Sequence, residues 1–141
     1  GSYGGSMVLS SLVHYGDKLA AGVETVGISN FVTFLKNTSD YRRDLRRAEY
    51  GDERQIGEFL HSISPTTHAH RITRPLLVAQ GAKDPRVPVT ESIQIVKTLQ
   101  RNETPVWYVV ASNEGHGFRK KDNRDYLYYT IARFWQEHLL K

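Results

Sequence analysis

The sequence contains no cysteine among its 141 residues. That absence excludes a disulfide framework, a zinc site built on thiolates and a cysteine nucleophile. No apolar run approaches the roughly 20 residues that a membrane-spanning helix needs, so we expect no membrane partner. Lys and Arg exceed Asp and Glu by only 19 to 15. This excess is too small for the dense basic face of a nucleic-acid-binding protein, and we expect no nucleic-acid partner.

The composition predicts a folded α/β protein. Hydrophobic residues make up 39% of the chain and charged residues 24%, which favours a packed core over disorder. Apolar, β-branched runs alternate with segments of helical periodicity, and this order is typical of a parallel sheet with flanking helices. The predicted elements are a helix at 3–12, a strand at 20–28, a helical segment at 54–64, a strand at 75–81, a helix at 89–100, a strand at 106–110 and a helix at 122–140.

Two helices carry specific burial predictions. In the 89–100 helix the apolar positions repeat at helical spacing, which places Glu91 and Gln94 on the surface. In the last helix an aromatic stripe is predicted to pack into the core; its members are Tyr126, Tyr129, Phe134 and Trp135. The strand runs lack alternation and are expected to be buried on both faces. Because three strands would leave sheet edges unprotected, we expect the chain to be part of a larger sheet.

Three loops carry residues of catalytic type where open α/β sheets bind their ligands. Ser2 lies in the glycine-rich turn GSYGG, Asp84 in GAKDPRVP after the second strand, and His116 between two glycines after the third. A serine hydroxyl becomes a nucleophile when an imidazole takes its proton, and a carboxylate then orients the imidazole. The chain order Ser, Asp, His is that of α/β-hydrolases. The Tyr3 N–H, at the start of the following helix, is the expected oxyanion donor.

At these residues the chain resembles the α/β-hydrolase half of the prolyl oligopeptidase family, which includes dipeptidyl-peptidase, oligopeptidase and acylaminoacyl-peptidase branches. The matching stretches are GSYGG, the YGD after the arginine-rich segment, the SP at 64–65, ITRPLLVAQGAKDPRVP and NEGHGF. The resemblance implies a serine peptidase acting on peptides through an acyl-enzyme. Ser2 would be its nucleophile, Asp84 its acid and His116 its general base.

The resemblance also implies substrate contacts. Arg86 falls on a position that faces a peptide carbonyl, and Val87 on a position in the pocket for the side chain before the cleaved bond. Phe31 and Phe34 fall on the aromatic wall of that pocket. The first glycine of G-x-S-x-G would precede residue 1. We therefore interpret residues 1–141 as the C-terminal portion of an α/β-hydrolase domain that starts at the nucleophile elbow.

Alternatives remain at this stage. Gly1 and Ser2 could be the remnant of a purification tag, in which case Ser6 is the competing nucleophile, although no closing glycine follows it. The isolated chain is expected to be weakly active or inactive. It is also expected to form a homo-oligomer or to pair its open sheet edge with the missing N-terminal part. The second functional hypothesis is accordingly an inert α/β module that self-associates.

No cofactor or metal is expected. His68 and His70 stand two residues apart, a spacing that does not suit one helix face. An arginine run interleaved with acidic residues is interpreted as a solvated or ion-paired helix rather than as a phosphate site; its members are Arg42, Arg43, Arg46 and Arg47.

Overall fold

A computed structural model describes residues 1–140 and contains a three-stranded parallel sheet. The strands are β1 (Gly22–Thr25), β2 (Leu76–Gly81) and β3 (Val106–Ala111), in the order β1-β2-β3. Leu76 pairs in register with Gly22 on one side and with Val106 on the other. The predicted fold class, α/β with parallel strands and flanking helices, is confirmed.

Six α-helices surround the sheet within the described residues. They are α1 (Tyr3–Tyr15), α2 (Phe31–Asn37), α3 (Asp40–Tyr50), α4 (Glu53–Ile63), α5 (Val89–Arg101) and α6 (Lys121–His138). Short 3-10 helices span Gly16–Lys18 and Pro65–Arg71. No helix within residues 1–140 combines the length and the hydropathy needed to cross a bilayer.

Side-chain caps divide the segment between β1 and β2 into separate helices. The Asn30 side chain accepts hydrogen bonds from Val32 N at 3.0 Å and Thr33 N at 3.1 Å, which caps α2. The Asp52 side chain accepts one from Arg54 N at 2.9 Å and caps α4. Such oxygens satisfy amide groups that have no acceptor within a helix. The two caps mark where α2 and α4 begin in a region whose sequence shows no clear periodicity.

The core lies on both faces of β2. Leu76 and Val78 pack with α1 and α5, while Leu77 and Ala79 pack with α6. Successive residues of a strand point to opposite faces, so this strand of apolar residues needs cover on both sides. All six residues of β2 are buried, as its unalternating sequence predicts.

Three burial predictions are wrong. β3 was expected to be buried on both faces, but it lies at an edge of this sheet and Val110 is 44% exposed. Glu91 was expected on the surface, yet it is fully buried and accepts hydrogen bonds from Asn30 N at 2.9 Å and Thr33 Oγ1 at 2.6 Å. The aromatic stripe of α6 is divided between core and surface: Phe134 is buried, whereas Tyr126 and Tyr129 are exposed.

We expect Phe134→Ala to lower the free energy of unfolding by about 3–5 kcal/mol, because it leaves a cavity in the core. Phe134 has no exposed surface and its ring lies 5.4 Å from that of Trp107. The control is Tyr129→Ala on the same helix, where the side chain is 69% exposed and the expected change is within about 0.5 kcal/mol. Urea denaturation measures both, and equal effects would contradict this packing.

Candidate active site

Ser2 directly precedes α1 in the chain, has a strained backbone conformation and lies in space beside the end of β1. Its φ is 53° and its ψ is −125°, a conformation that residues other than glycine seldom adopt. The Ser2 amide donates to Thr25 O at 2.9 Å, and the Ser2 carbonyl accepts from Gly5 N at 2.9 Å. The side chain makes no capping bond to α1. The backbone is therefore fixed while the hydroxyl remains available for another partner.

A close approach of α1 to the loop after β1 makes this turn possible. A Cβ on Gly5 would lie 2.5 Å from Gly27 Cα, and a Cβ on Gly27 would lie 2.5 Å from Glu24 Oε2. The contact at Gly5 is with backbone and far below ordinary contact, so that position requires glycine, whereas a Cβ on Gly27 would have to displace the Glu24 carboxylate. Glu24 lies under this contact, fully buried, with Oε2 accepting from Gly27 N at 2.8 Å. Its Oε1 has no hydrogen-bond partner within residues 1–140.

Asp84 is oriented by its own loop. Its Oδ1 accepts hydrogen bonds from Arg86 N at 2.8 Å and Val87 N at 3.0 Å. Its Oδ2 accepts from Gln80 Nε2 at 3.2 Å and lies 2.7 Å from His116 Nδ1. The side chain has no exposed surface. These bonds leave the carboxylate one orientation, directed at the imidazole.

The loop that carries His116 is held against the loop after β2. Lys83 N donates to Glu114 O at 3.0 Å. The two loops approach so closely at Gly81 that a Cβ there would overlap the Gly115 carbonyl oxygen. Gly117 has a φ of 128°, a region that favours glycine. Glycines therefore permit the approach that brings His116 to Asp84.

The structure brings Ser2, Asp84 and His116 together. His116 Nε2 lies 3.1 Å from Ser2 Oγ, and His116 Nδ1 lies 2.7 Å from Asp84 Oδ2. An ionised carboxylate only accepts hydrogen bonds, so Nδ1 carries the hydrogen in this pair. Nε2 of a neutral imidazole is then an acceptor for the Ser2 hydroxyl. The arrangement can move a proton from Ser2 Oγ to His116 Nε2.

The Tyr3 amide lies next to the Ser2 hydroxyl along the chain. Tyr3 is the first residue of α1, so its N–H has no acceptor within the helix. A free backbone donor at a helix N-terminus can stabilise developing negative charge. Ser6, the competing nucleophile, is buried and its hydroxyl donates to Tyr3 O at 2.6 Å. The hydroxyl that contacts His116 is that of Ser2.

The three apolar residues expected at a substrate pocket lie in one cluster. Phe31, Phe34 and Val87 pack together in the core. Tyr50, which the sequence analysis did not single out, packs against the same cluster. Its ring lies 5.9 Å from the Tyr3 ring and 5.8 Å from the Phe31 ring, and burial raises the pKa of its phenol. The sequence feature that could have identified Tyr50 is its position as the first residue of the YGD motif at 50–52.

Arg86 lies apart from that cluster. It lines a cavity of about 280 Å³ beside His116, whose remaining lining residues are Pro85, Gly115, Gly117 and Arg119. Its backbone is held at both ends, with its N–H donating to Asp84 Oδ1 and its carbonyl accepting from Thr38 Oγ1 at 2.9 Å. Arg86 as a whole is an exposed residue.

The residues considered for other chemistry have structural partners. His68 Nε2 lies 2.6 Å from the Ser62 carbonyl oxygen. No group of three or more His, Asp or Glu side chains in the described part of the chain could hold a metal ion. Three of the four arginines of the run on α3 form ion pairs with nearby carboxylates: Arg43 with Asp40 at 2.9 Å, Arg46 with Glu49 at 2.6 Å and Arg47 with Glu53 at 2.6 Å. This matches the ion-paired interpretation of the run.

Comparison with known proteins matches the chain to peptidases. The sequence profile of the prolyl oligopeptidase family matches residues 1–141. Dipeptidyl aminopeptidase BIII of Pseudoxanthomonas mexicana is 42% identical over 128 residues, which are 87% of this chain and 19% of that protein. The chain thus spans about a fifth of the length of this curated relative.

Solved structures show the same similarity. A puromycin-hydrolyzing peptidase of Mycobacterium tuberculosis superposes with a TM-score of 0.91 at 28% identity, over 99% of this chain and 21% of that one. An acylaminoacyl peptidase in complex with Z-Gly-Gly-Phe-chloromethyl ketone superposes with a TM-score of 0.88 at 26% identity. That match covers 98% of this chain and 23% of the other.

The buried Glu24 makes stability depend on pH. Burial raises its pKa from 4.5 to about 7, a change that the Gly27 hydrogen bond and the positive N-terminus reduce only in part. The contribution of the neutral Glu24 side chain to the free energy of unfolding is fully present below pH 4.5 and is lost as pH rises through 7. We therefore expect Glu24→Gln to be close to wild type at pH 5. At pH 8 it should be more stable by on the order of 3 kcal/mol.

Urea denaturation of both proteins between pH 5 and pH 8 measures this difference. The matched control is Glu58→Gln, an exposed carboxyl on α4, which should give the same difference from wild type at every pH. A constant difference for Glu24→Gln across the range would contradict the burial of an ionisable carboxyl beneath the Ser2 turn.

Proposed function

The chain belongs to the prolyl oligopeptidase family, and from that premise we propose that it carries the catalytic residues of a serine peptidase. The observation that carries the proposal is the contact of His116 with two side chains at once. Its Nε2 lies 3.1 Å from Ser2 Oγ and its Nδ1 lies 2.7 Å from Asp84 Oδ2. Residues 1–141 would then form the C-terminal portion of an α/β-hydrolase domain.

In the proposed acylation step, Ser2 Oγ attacks the carbonyl carbon of a peptide bond and its proton passes to His116 Nε2. The oxyanion that forms accepts a hydrogen bond from Tyr3 N–H. The C–N bond then breaks, and His116 gives the same proton to the departing amine. The acyl group remains on Ser2 as an ester.

Deacylation repeats these roles with water. His116 Nε2 takes a proton from a water molecule as its oxygen attacks the ester carbonyl, and the proton returns to Ser2 Oγ when the C–O bond breaks. Asp84 stays ionised throughout and stabilises the imidazolium. The buried Asp84 carboxylate, held by two backbone donors, is suited to this role because it cannot rotate away.

The proposed substrate is a peptide with an apolar side chain next to the cleaved bond. Tyr3 directly follows Ser2, and its ring contacts that of Tyr50, which in turn contacts Phe31; these three rings would form an apolar surface for the substrate side chain. The related acylaminoacyl peptidase was solved with a peptide inhibitor whose last residue is Phe. Phe34 and Val87 are almost completely buried and would support this wall from behind.

A second proposal follows from the sheet edge. The edge of β1 that faces away from β2 pairs with no strand within residues 1–140. Beside it lies an apolar groove lined in part by Leu12, Leu19, Val23 and Trp135. An unpaired edge with apolar surroundings favours association. We propose that a further strand pairs here, supplied by the rest of the protein or by a second copy of the chain.

Substitution in the complete protein that carries this sequence tests the proposed peptidase. We expect Ser2→Ala and His116→Ala each to lower kcat for a peptide p-nitroanilide by about 10³-fold or more, because each removes a member of one proton-transfer chain. The matched control is Ser62→Ala, an exposed serine on α4, which should retain wild-type turnover.

Circular dichroism of each variant shows that the fold is intact. Turnover that survives Ser2→Ala would overturn the assignment of the nucleophile. The self-associating module would be favoured by a different combination of results. The wild-type protein would show no turnover and would elute as an oligomer, and a charge introduced at Val23 would abolish that oligomer.

A further inference from the structure

Two arginines flank the cavity beside His116. One of them, Arg119, lies outside the motifs that the chain shares with the family. The cavity has a volume of about 280 Å³ and is lined by Arg86 from the loop after β2 and Arg119 from the segment before α6. Every other lining residue except His116 is glycine or proline. No carboxylate of residues 1–140 lines it. The charged groups facing this space are therefore cationic, apart from an imidazole that can be neutral.

The guanidinium groups of these arginines lack acidic partners. Neither Arg86 nor Arg119 forms an ion pair in the part of the chain spanning 1–140, and both are exposed. The arginines of α3 behave differently, since Arg46 and Arg47 each contact a carboxylate. The pair Arg86 and Arg119 lies beside the proposed reaction centre. Because neither has an acidic partner within residues 1–140, an acidic ligand can bind there with no ion pair to break first.

The carboxylates of the two loops that carry Asp84 and His116 are already engaged. Asp84 is bound by His116 and by the backbone of its own loop. Glu114 is buried, and its Oε2 accepts from Lys120 N at 2.9 Å at the start of α6. These contacts fix both loops while the two guanidinium groups remain uncommitted.

We propose that the cavity between Arg86 and Arg119 binds a carboxylate of the peptide substrate, an inference that rests on the proposed peptidase function. Guanidinium groups bind carboxylates through paired, charge-assisted hydrogen bonds. A volume of about 280 Å³ is small for a ligand site and suits one residue of a peptide rather than a large group. The carboxylate is either an acidic side chain near the cleaved bond or the C-terminus of a short peptide.

The site makes the protein selective among peptides of equal length. A substrate that places a carboxylate in the cavity is held close to His116, which raises kcat/KM over that of the neutral isostere. Because both arginines are exposed, the gain is modest and falls with ionic strength. We expect a preference of roughly threefold to tenfold at low salt.

Four internally quenched peptides test the inference with the complete protein. They share one apolar residue before the cleaved bond and carry either Glu or Gln near it, each with a free or an amidated C-terminus. Comparing Glu with Gln measures a side-chain carboxylate, and comparing free acid with amide measures a terminal one. We expect kcat/KM to be higher either for the Glu peptides than for the Gln peptides, or for the free acids than for the amides.

Variants assign the preference to the cavity. Arg119→Gln should bring the ratio of kcat/KM for the charged and neutral peptides close to one. Lys120→Gln removes the same charge from the next residue, which does not line the cavity, and should leave the ratio as in wild type. In wild type, raising the salt concentration from about 0.05 M to 0.5 M should shrink the ratio, a readout that does not depend on any variant folding.

The outcomes are distinguishable. Cleavage of all four peptides at equal rates would overturn the inference while leaving the proposed peptidase intact. The inference would also be overturned if the preference for the charged peptide persisted in Arg119→Gln, or if Lys120→Gln lowered it as much as Arg119→Gln does. Failure to cleave any peptide would refute the proposed function, and the carboxylate site with it.

Discussion

The site depends on one imidazole that joins three distant parts of the chain. His116 contacts Ser2, 114 residues earlier, and Asp84, 32 residues earlier. The contact with Asp84 exists because parallel strands place their following loops at one end of the sheet, and Ser2 is held at that end by the hydrogen bond from its amide to Thr25 O at the end of β1. The approach of the loops in turn requires a residue without a side chain at Gly81. The strain at Ser2 is maintained because the Thr25 carbonyl holds its amide on one side and α1 begins on the other.

Much of this arrangement could be predicted from sequence. Asp84 and His116 follow apolar runs that end in glycine-containing loops, and the strand order then places them together. The β2 run could be recognised because a strand covered on both faces shows no alternation. The contact with Ser2 required more than spacing, since no strand precedes that turn in the sequence. The glycine-rich turn and the order Ser, Asp, His made Ser2 a candidate, and its role as nucleophile came from the resemblance to a family to which the chain belongs.

The errors arise where burial depends on partners far along the chain. Glu91 has the periodicity of a surface position, but its partners Asn30 and Thr33 come from a segment about 60 residues earlier. Tyr129 and Phe134 are five residues apart, about 140° around the axis of α6, so they lie on different faces and only Phe134 packs against the sheet. Tyr50 joins the aromatic cluster because α3 folds back over α2, a path that local sequence does not specify.

The position of a covalent adduct shows directly whether Ser2 is the nucleophile. A fluorophosphonate reacts with a serine whose proton an imidazole removes. After treatment of the complete protein and digestion, mass spectrometry should find the adduct on the peptide that contains Ser2, and His116→Ala should prevent its formation. If the protein cleaves peptides but carries the adduct on Ser6 or on any other serine, Ser2 is not the nucleophile.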